Sequence, residues 1–143
     1  LAARLVGVDL SEKMVELARE RGTYDELVVG DLCAFMRSRQ LTFDVAIAAD
    51  TYEYFGDLLD VNRAAAESLR PGALYLFTVE LLPEQYGENY RLMVHGRYAH
   101  GRRYVHQTLL DAGFEVLDIR TEVLRREKLE DVAGLLAIAR KRA

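Results

Sequence analysis

A short apolar run near the start of the sequence ends in a carboxylate and leads directly into a helix signal. The run is Arg4-Leu5-Val6-Gly7-Val8-Asp9; Ser11 follows as a helix N-cap, and Gly22 stands where that helix should end. In α/β folds that bind nucleosides, a carboxylate at the carboxyl end of a buried parallel strand accepts hydrogen bonds from both ribose hydroxyls. The sequence therefore predicts an α/β fold with Asp9 at its ligand-binding edge.

Further strand and helix signals alternate along the chain as they do in a parallel sheet. A short helix is predicted through Phe35 and Met36, a longer one begins at Asp57, and Arg70-Pro71-Gly72 predicts a turn. The predicted strands are continuous apolar runs over residues 26–30, 43–49 and 74–80. Continuous apolar strands favour a sheet that is covered on both faces.

The pattern changes in the C-terminal half. From residue 81 to residue 101 the periodicity fails, and we predict a long ordered loop or insertion on the substrate side of the domain. A helix that ends at Gly113 comes next. Two strands are then predicted over residues 114–124 and 132–139. The charged linker between them, residues 125–131, is short enough for an antiparallel pair.

Composition and charge limit the possible classes of function. Half of the 143 residues are apolar and 29% are charged, which is enough for one ordinary core. The formal charge of -4 gives no electrostatic signature of a protein that binds nucleic acid or an anionic membrane. No window reaches the roughly 18 apolar residues of a membrane span. The single cysteine, Cys33, fits a small apolar residue in a reducing, cytoplasmic setting.

Four motifs follow one another along the first half of the chain: Val6-Gly7-Val8-Asp9-Leu10-Ser11-(x)2-Met14-(x)2-Leu17-Ala18-Arg19, Val29-Gly30-Asp31-Leu32, Phe43-Asp44-Val45 and Leu69-Arg70-Pro71-Gly72-Ala73-Leu74. In their order and spacing they resemble the motifs of class I S-adenosylmethionine-dependent methyltransferases. The tail, including Gly96-Arg97-Tyr98-Ala99-His100 and Leu124-Arg125-Arg126-Glu127, is similar to a bacterial subgroup in which tetratricopeptide repeats precede the methyltransferase domain. The resemblance implies a Rossmann-like α/β sheet of order 3-2-1-4-5-7-6 with an antiparallel last strand, and S-adenosyl-L-methionine as cofactor.

The sequence departs from the family at its start. The family's first strand and its G-x-G-x-G loop would precede Leu1, and that strand lies in the middle of the sheet. Without it two central strand edges stay unpaired, which the need to satisfy buried backbone groups forbids. We therefore expect residues 1–143 to be the C-terminal part of one methyltransferase domain in a longer protein and to be inactive alone; the alternative is that another chain fills the gap.

The resemblance places the adenosine of the cofactor at two strand ends. Asp9 would accept from the ribose hydroxyls, with Leu10 as an apolar face and Met14 lining the same pocket. Asp31 would accept from the adenine amine, and the Leu32 backbone N–H would donate to a ring nitrogen. Each aspartate has a structural alternative as the N-cap of the helix that follows it, and Met14 also fits the core stripe of its helix.

Candidates for the methyl-transfer end of the site follow the third predicted strand. The family places groups near the methionine end of the cofactor there, where this chain has Asp50, Thr51 and Tyr54. The candidate acceptor contacts of the loop are Tyr86, Tyr90, Arg97, Tyr98 and His100, although the loop also fits a lid that packs on its own domain. Tyr54 and His100 are the candidate catalytic residues. The three histidines lack the partners of a metal site.

The predicted function is methyl transfer from S-adenosyl-L-methionine to an unidentified acceptor. A base is needed only if the attacking atom carries a proton that must leave, so the cofactor residues are better defined than the catalytic one. One alternative is a catalytically inactive methyltransferase fold that acts as a binding module, which the missing glycine loop favours. A nicotinamide-dependent dehydrogenase fits less well, because the sequence contains no Tyr-x-x-x-Lys pair.

Overall fold

Helices and strands alternate through the first half of the chain. The computed structural model describes residues 2–143, so Leu1, the first residue of the predicted domain, lies outside the described part. The predicted limits of the first helix are confirmed, because the Ser11 hydroxyl accepts from the Met14 N–H and Gly22 adopts a φ of 67°. The elements of this half are β1 (Val6–Asp9), α1 (Glu12–Arg21), β2 (Glu26–Val29), α2 (Leu32–Arg37), β3 (Phe43–Ala48) and α3 (Leu59–Ser68).

Strands dominate the second half. Its elements are β4 (Leu69–Leu81), β5 (Tyr90–Leu92), β6 (Tyr98–His100), α4 (Arg102–Asp111), β7 (Phe114–Glu127) and β8 (Glu130–Lys141). Short 3₁₀ turns over Tyr52–Tyr54 and Glu84–Tyr86 follow β3 and β4. The predicted helix before Gly113 is confirmed as α4, and Gly113 beyond its end has a φ of 97°.

The strands form two hydrogen-bonded sheets. β1 and β2 pair in parallel, with Asp9 opposite Val29. In the larger sheet β3 pairs in parallel with β4, and β8 lies antiparallel between β4 and β7. The orders β2-β1 and β3-β4-β8-β7 confirm the predicted α/β fold and its antiparallel last strand. Among residues 2–143, no strand pairs with the outer edge of β1 or of β3.

The stretch over residues 81–101, predicted as a loop, contains a β-hairpin. β5 and β6 pair antiparallel, and β6 adds in parallel to β4 at Glu80 and Leu81. The ladder between β3 and β4 ends earlier, at Phe77, so the hairpin lengthens the sheet beyond the end of β3. The prediction of an ordered loop or insertion did not include these two strands, because each has only three residues, too few to show a period.

The predicted turn at Arg70-Pro71-Gly72 lies inside β4 as a bulge. Phe43 pairs with Leu69, whereas Val45 pairs with Leu74, so β4 carries extra residues between the two pairs. Gly72 has a φ of 84° there, which a residue without a Cβ adopts at little cost. Proline and glycine therefore marked a real break in the ladder, but the strand continues on both sides of it.

The charged linker predicted over residues 125–131 is mostly ladder. Glu127 pairs with Glu130, so only Lys128 and Leu129 form the turn between β7 and β8. Both turn residues have positive φ, 48° and 67°. The predicted antiparallel pairing of the last two strands is confirmed, with strands longer than expected.

The core lies on one face of the larger sheet, beneath α3 and α4. The buried residues of β4 on this face are Ala73, Tyr75, Phe77 and Val79. The opposite face carries the half-buried Leu74 and Leu76, which pair with the exposed Val45 (49%) and Ile47 (72%) of β3. Within residues 2–143 the larger sheet is thus covered by helices on one face only. The prediction of two covered faces was wrong for this sheet in the described part of the chain.

A chain of buried hydrogen bonds ties the 3₁₀ turn after β3 to the helices. The Tyr52 hydroxyl lies 2.6 Å from that of Tyr75, which donates to Asn62 Oδ1 at 3.0 Å. Asn62 Nδ2 in turn lies 3.5 Å from Thr108 Oγ1 on α4. Burial raises the pKa of both tyrosines, so both hydroxyls keep their protons. Since the Tyr75 proton goes to Asn62, Tyr52 is the donor in the bond between the two hydroxyls. These bonds fix the backbone that follows β3.

Candidate functional site

Asp9 and Asp31 lie at the carboxyl ends of the neighbouring strands β1 and β2. The Gly30 N–H donates to the Asp9 carbonyl at 3.0 Å, which continues the ladder one step beyond Val29. Both aspartates are exposed. The structure therefore brings the two predicted adenosine ligands to one edge of the sheet.

Each of these aspartates uses one carboxylate oxygen locally. Asp9 Oδ1 accepts from the Ser11 N–H at 2.8 Å, and Asp31 Oδ2 accepts from the Ala34 N–H at 2.8 Å as the N-cap of α2. Within the described residues the second oxygen of each accepts no hydrogen bond from the protein. The local bond orients each carboxylate while one oxygen stays available to a ligand, so the capping role and the ligand role are compatible.

Apolar side chains and a free backbone donor adjoin the aspartates. Leu10 is 77% exposed and Met14 is 53% exposed, whereas the buried residue of α1 is Val15, so Met14 is not a core residue in this structure. Met14 and Asp9 line a groove of about 280 Å³ between β1 and α1. Leu32 is the first residue of α2, where the backbone N–H has no partner within the helix.

Asp50 follows β3 in a left-handed backbone conformation, with a φ of 50°. That conformation costs a residue other than glycine about 1–2 kcal/mol, so other contacts must hold it. The Asp50 N–H donates to Thr78 Oγ1 at 3.1 Å, and its Oδ1 accepts from Arg125 Nη1 at 3.2 Å. The Thr51 hydroxyl donates to the Ala49 carbonyl at 3.0 Å. The carboxylate of Asp50 is therefore held at the carboxyl end of β3.

Around Asp50 lies a charge cluster formed by Asp50, Glu80, Arg97, Arg125 and Glu127. Glu80, near the end of β4, accepts from Arg125 Nη2 at 2.6 Å through Oε1, and its Oε2 lies 3.5 Å from Arg97 Nε. Glu127 Oε1 accepts from Arg97 Nη2 at 2.5 Å and from Arg125 Nε at 2.9 Å. The hydrogen bond from Arg125 is the main cause that lowers the pKa of the Glu127 carboxyl, and the bond from Arg97 lowers it further.

A second buried carboxylate stands beside this cluster. Glu53, in the 3₁₀ turn after β3, is 4% exposed. Burial raises the pKa of its carboxyl, the negative charges of Asp50 and Glu80 raise it further, and the charge of Arg125 opposes the shift. Glu53 therefore takes up a proton more readily than an ordinary glutamate does, at the same edge as Asp50.

Sequence reasoning missed the charge cluster as a unit. One signal was present, because Glu80 ends a continuous apolar strand, and a carboxylate buried in such a place requires a cationic partner. The cationic partners of Glu80 could not be predicted from the sequence, because Arg97 lies in the inserted hairpin and Arg125 in β7, both distant along the chain. Tertiary structure alone brings these side chains together.

The two candidate catalytic residues are placed differently. Tyr54 is 67% exposed, on the 3₁₀ turn after Asp50. His100 is fully buried, and its Nε2 lies 2.9 Å and 3.0 Å from the carbonyls of Phe55 and Gly56. Carbonyl oxygens only accept, so Nε2 carries the proton and His100 holds this backbone segment in place. Tyr54 is open to a ligand, whereas His100 is closed off by the protein around it.

The hairpin tyrosines pack around the segment that His100 holds. Rings of the aromatic cluster Tyr90, Tyr98, His100 and Tyr104 lie 5.5–6.5 Å apart. A Cβ on Gly56 would come within 3.0 Å of the Tyr90 ring and 3.1 Å of the Tyr98 ring, so a glycine lets the rings close over this backbone. The hairpin is thus packed on its own domain, as the structural alternative for this stretch expected.

The remaining candidate acceptor contacts lie apart from these rings. The Tyr86 ring packs against the Arg91 guanidinium at 5.0 Å, while Arg97 belongs to the charge cluster.

In residues 2–143 no group of three or more His, Cys, Asp and Glu side chains is arranged to hold a metal ion. No helix of the described residues is long and apolar enough to cross a bilayer.

Comparisons with known proteins agree with this geometry. The chain matches the methyltransferase domain family over residues 1–77. It is 29% identical to sterol 4-C-methyltransferase strm-1 of Caenorhabditis elegans, over 92% of this chain and 42% of that protein. It is 28% identical to the malonyl-[acyl-carrier protein] O-methyltransferase of Priestia megaterium, over 71% of this chain and 35% of that protein. The chain thus spans less than half of these curated relatives.

Solved structures share the fold at lower identity. The S-adenosylmethionine-dependent methyltransferase of Mesorhizobium loti superimposes with a TM-score of 0.75 and 20% identity, over 98% of this chain and 81% of that one. The strand arrangement agrees with the class I methyltransferase fold of such structures, a class whose cofactor is S-adenosyl-L-methionine. With its match over residues 1–77, the chain belongs to the methyltransferase domain family.

Proposed function

We propose that this chain carries the adenosine-binding and acceptor-facing part of an enzyme that transfers a methyl group from S-adenosyl-L-methionine. The observation that carries the proposal is the pair Asp9 and Asp31. Each ends one of two adjacent parallel strands, is exposed, and has one oxygen engaged locally and the other free of the protein's own hydrogen bonds. Two ribose hydroxyls and an adenine amine are donors, which is what two carboxylates at neighbouring strand ends can bind.

The residues around this pair take the remaining adenosine contacts. Asp9 accepts from the ribose hydroxyls, and the exposed Leu10 and Met14 cover the apolar faces of ribose and adenine. Asp31 accepts from the exocyclic amine, while the free Leu32 N–H donates to a ring nitrogen. Burial of these exposed apolar side chains against the nucleoside would add to the affinity.

The acceptor approaches the edge that follows β3. The cofactor, when bound, supplies a methyl group on a sulfonium, a leaving group that is already activated. The protein then needs mainly to align the nucleophile with that methyl, and alignment of this kind is worth on the order of 7–11 kcal/mol. Asp50 lies where the methionine end of the cofactor would be held, and the exposed Tyr54 hydroxyl beside it is open to form a hydrogen bond with the acceptor.

We also propose that the chain is part of a longer, cytoplasmic bacterial protein. The outer edges of β1 and β3 are unpaired among residues 2–143, and Val45 and Ile47 lie exposed on an apolar sheet face. An upstream segment with one parallel strand and a glycine-rich loop would satisfy both edges and complete the cofactor site. The resemblance of the tail, which includes Leu124-Arg125-Arg126-Glu127, supports tetratricopeptide repeats further upstream.

Calorimetric titration of S-adenosylhomocysteine tests the proposed function. The 143-residue chain and a form that extends further upstream in its gene are titrated side by side. Binding is expected for the extended form only, and Asp9→Ala should abolish it, because the ribose hydroxyls lose their acceptor. Asp44→Ala is the matched control, since Asp44 is an exposed aspartate of β3 that pairs only with Arg70 among the described side chains, and it should leave the affinity unchanged.

The outcomes separate the candidate functions. Unchanged affinity in Asp9→Ala would overturn the assignment of the adenosine site while leaving the fold intact. Absence of binding by both forms, each shown to be folded, would favour a methyltransferase fold that serves as a binding module without catalysis.

A further inference from the structure

Arg125 joins the ends of three strands through one guanidinium group. Its Nη1 donates to Asp50 Oδ1 at 3.2 Å beyond β3, and its Nη2 donates to Glu80 Oε1 at 2.6 Å on β4. Its Nε donates to Glu127 Oε1 at 2.9 Å on β7 itself. Because the guanidinium is planar and rigid, contacts on all three nitrogens fix the position of each carboxylate relative to the others.

The buried carboxylate of Glu80 holds the Arg125 guanidinium in its place in the cluster. The Glu80 side chain is 6% exposed, and its charge is balanced by Arg97 and Arg125. A swing of Arg125 toward solvent would leave a buried carboxylate with half of its neutralising contacts, which is costly. Glu80 therefore fixes the Arg125 guanidinium, which can in turn hold the exposed carboxylate of Asp50.

Asp50 is the exposed partner. Its side chain is 58% exposed, and within residues 2–143 its Oδ2 accepts no hydrogen bond from the protein. The sheet fixes its backbone as well, since the Asp50 N–H donates to Thr78 Oγ1 while the residue keeps a φ of 50°. Thr78 holds the backbone of Asp50 and Arg125 holds one carboxylate oxygen, which leaves the other oxygen free of the protein's own hydrogen bonds among the described residues.

We propose that Arg125 is a positioning residue for methyl transfer, which holds the Asp50 carboxylate in the orientation that receives the methionine end of the cofactor. The inference rests on the proposed function. It assigns to β7, the last but one strand of the chain, a part in cofactor binding although no residue of β7 is at the adenosine site. Glu127 accepts from Arg125 Nε, and Arg97 of the hairpin pairs with the same Glu127 oxygen and so holds that carboxylate in place.

A double-mutant cycle tests the proposal in the form of the protein that binds S-adenosylhomocysteine. Asp50→Asn and Arg125→Lys are made singly and together; lysine keeps a charge beside Glu80 but lacks the planar fork. Each single variant should weaken S-adenosylhomocysteine binding about tenfold, and the double variant no more than about tenfold, because both remove one interaction. Arg126→Lys is the matched control: Arg126 adjoins Arg125, is 70% exposed, pairs with Asp131, and should bind like the wild type.

A second route covers the case in which Arg125→Lys does not fold. Glu127→Gln keeps the shape of that side chain and removes the charge that holds Arg125 Nε. It should weaken binding in the wild-type background and have no effect in the Asp50→Asn background. Losses that multiply in the double variants would overturn the positioning role and leave the proposed function standing. A wild type that binds no S-adenosylhomocysteine would overturn both.

Discussion

At the scale of single residues, His100 shows how a buried polar side chain organises the candidate site without facing it. Its one ring proton lies between the carbonyls of Phe55 and Gly56, and Nδ1 has no hydrogen-bond partner among the described residues. Burial lowers the pKa of the imidazole below its ordinary value of 6.5, because the interior disfavours the charged form. The neutral ring therefore belongs to the folded state.

The buried neutral ring of His100 should make the stability of the protein depend on pH. The unfolded chain binds a proton at His100 near pH 6.5, whereas the folded chain binds it only at lower pH. The neutral ring's contribution is thus complete above about pH 6.5 and is lost as the pH falls below it, toward the folded pKa. The free energy of unfolding of the wild type, measured in urea at about pH 7.5 and 5.5, should fall more steeply than that of His100→Asn.

A second histidine supplies the control. His106 is exposed on α4, so His106→Asn should retain the wild-type slope between the two pH values. A His100→Asn slope equal to that of the wild type would contradict the buried neutral assignment.

At the scale of elements, the sequence predicted those parts whose signals are local. Ser11 and Gly22 bound α1 because a hydroxyl cap and a glycine with positive φ act within one helical turn. β5 and β6 were missed because pairing stabilises them, β6 with β4 and β5 with β6. A stretch of three residues shows no sequence period from which such pairing could be predicted. Among site residues, Asp9 and Asp31 were predicted from the strand ends, whereas the role of Arg125 was not, since its partners Asp50 and Glu80 lie on other elements.

The turn of the β7–β8 hairpin carries a testable element-scale weakness. Lys128 and Leu129 both have positive φ, the backbone of a type I′ turn, for which Asn-Gly is preferred. The double substitution Lys128→Asn with Leu129→Gly should raise the free energy of unfolding by about 1 kcal/mol, because it relieves the left-handed strain. Chemical denaturation and the melting temperature both measure this.

A double alanine variant at the same positions is the control for the turn. Lys128→Ala with Leu129→Ala removes the same side chains without supplying the favoured backbone, so it should give no gain in stability. An Asn-Gly variant that melts at or below the wild-type temperature would show that the turn is not strained as its φ values indicate.

At the scale of the whole molecule, the free strand edges and the uncovered sheet face act together. The outer edge of β3 is unpaired among residues 2–143, and Ile47, 72% exposed, stands on the apolar face beside it. Unpaired parallel edges that adjoin apolar surface are templates for association. The isolated 143-residue chain should therefore self-associate as its concentration rises, and Ile47→Lys should shift it toward the monomer in sedimentation velocity.

The tip of the last hairpin gives a matched comparison. Leu129 is 90% exposed but lies in the turn between β7 and β8, away from the edge of β3, so Leu129→Lys should leave an association through β3 unchanged. A chain that stays monomeric at every concentration, or two lysine variants that behave alike, would contradict the role of the β3 edge.

The attachment of the β5–β6 hairpin has a consequence for how such proteins diverge. β6 meets β4 only at Glu80 and Leu81, after the ladder with β3 has ended at Phe77. Insertions or deletions within the hairpin therefore leave the register between β3 and β4 untouched. Related chains can differ in this rim while the strands that lead to Asp9, Asp31 and Asp50 keep their pairing.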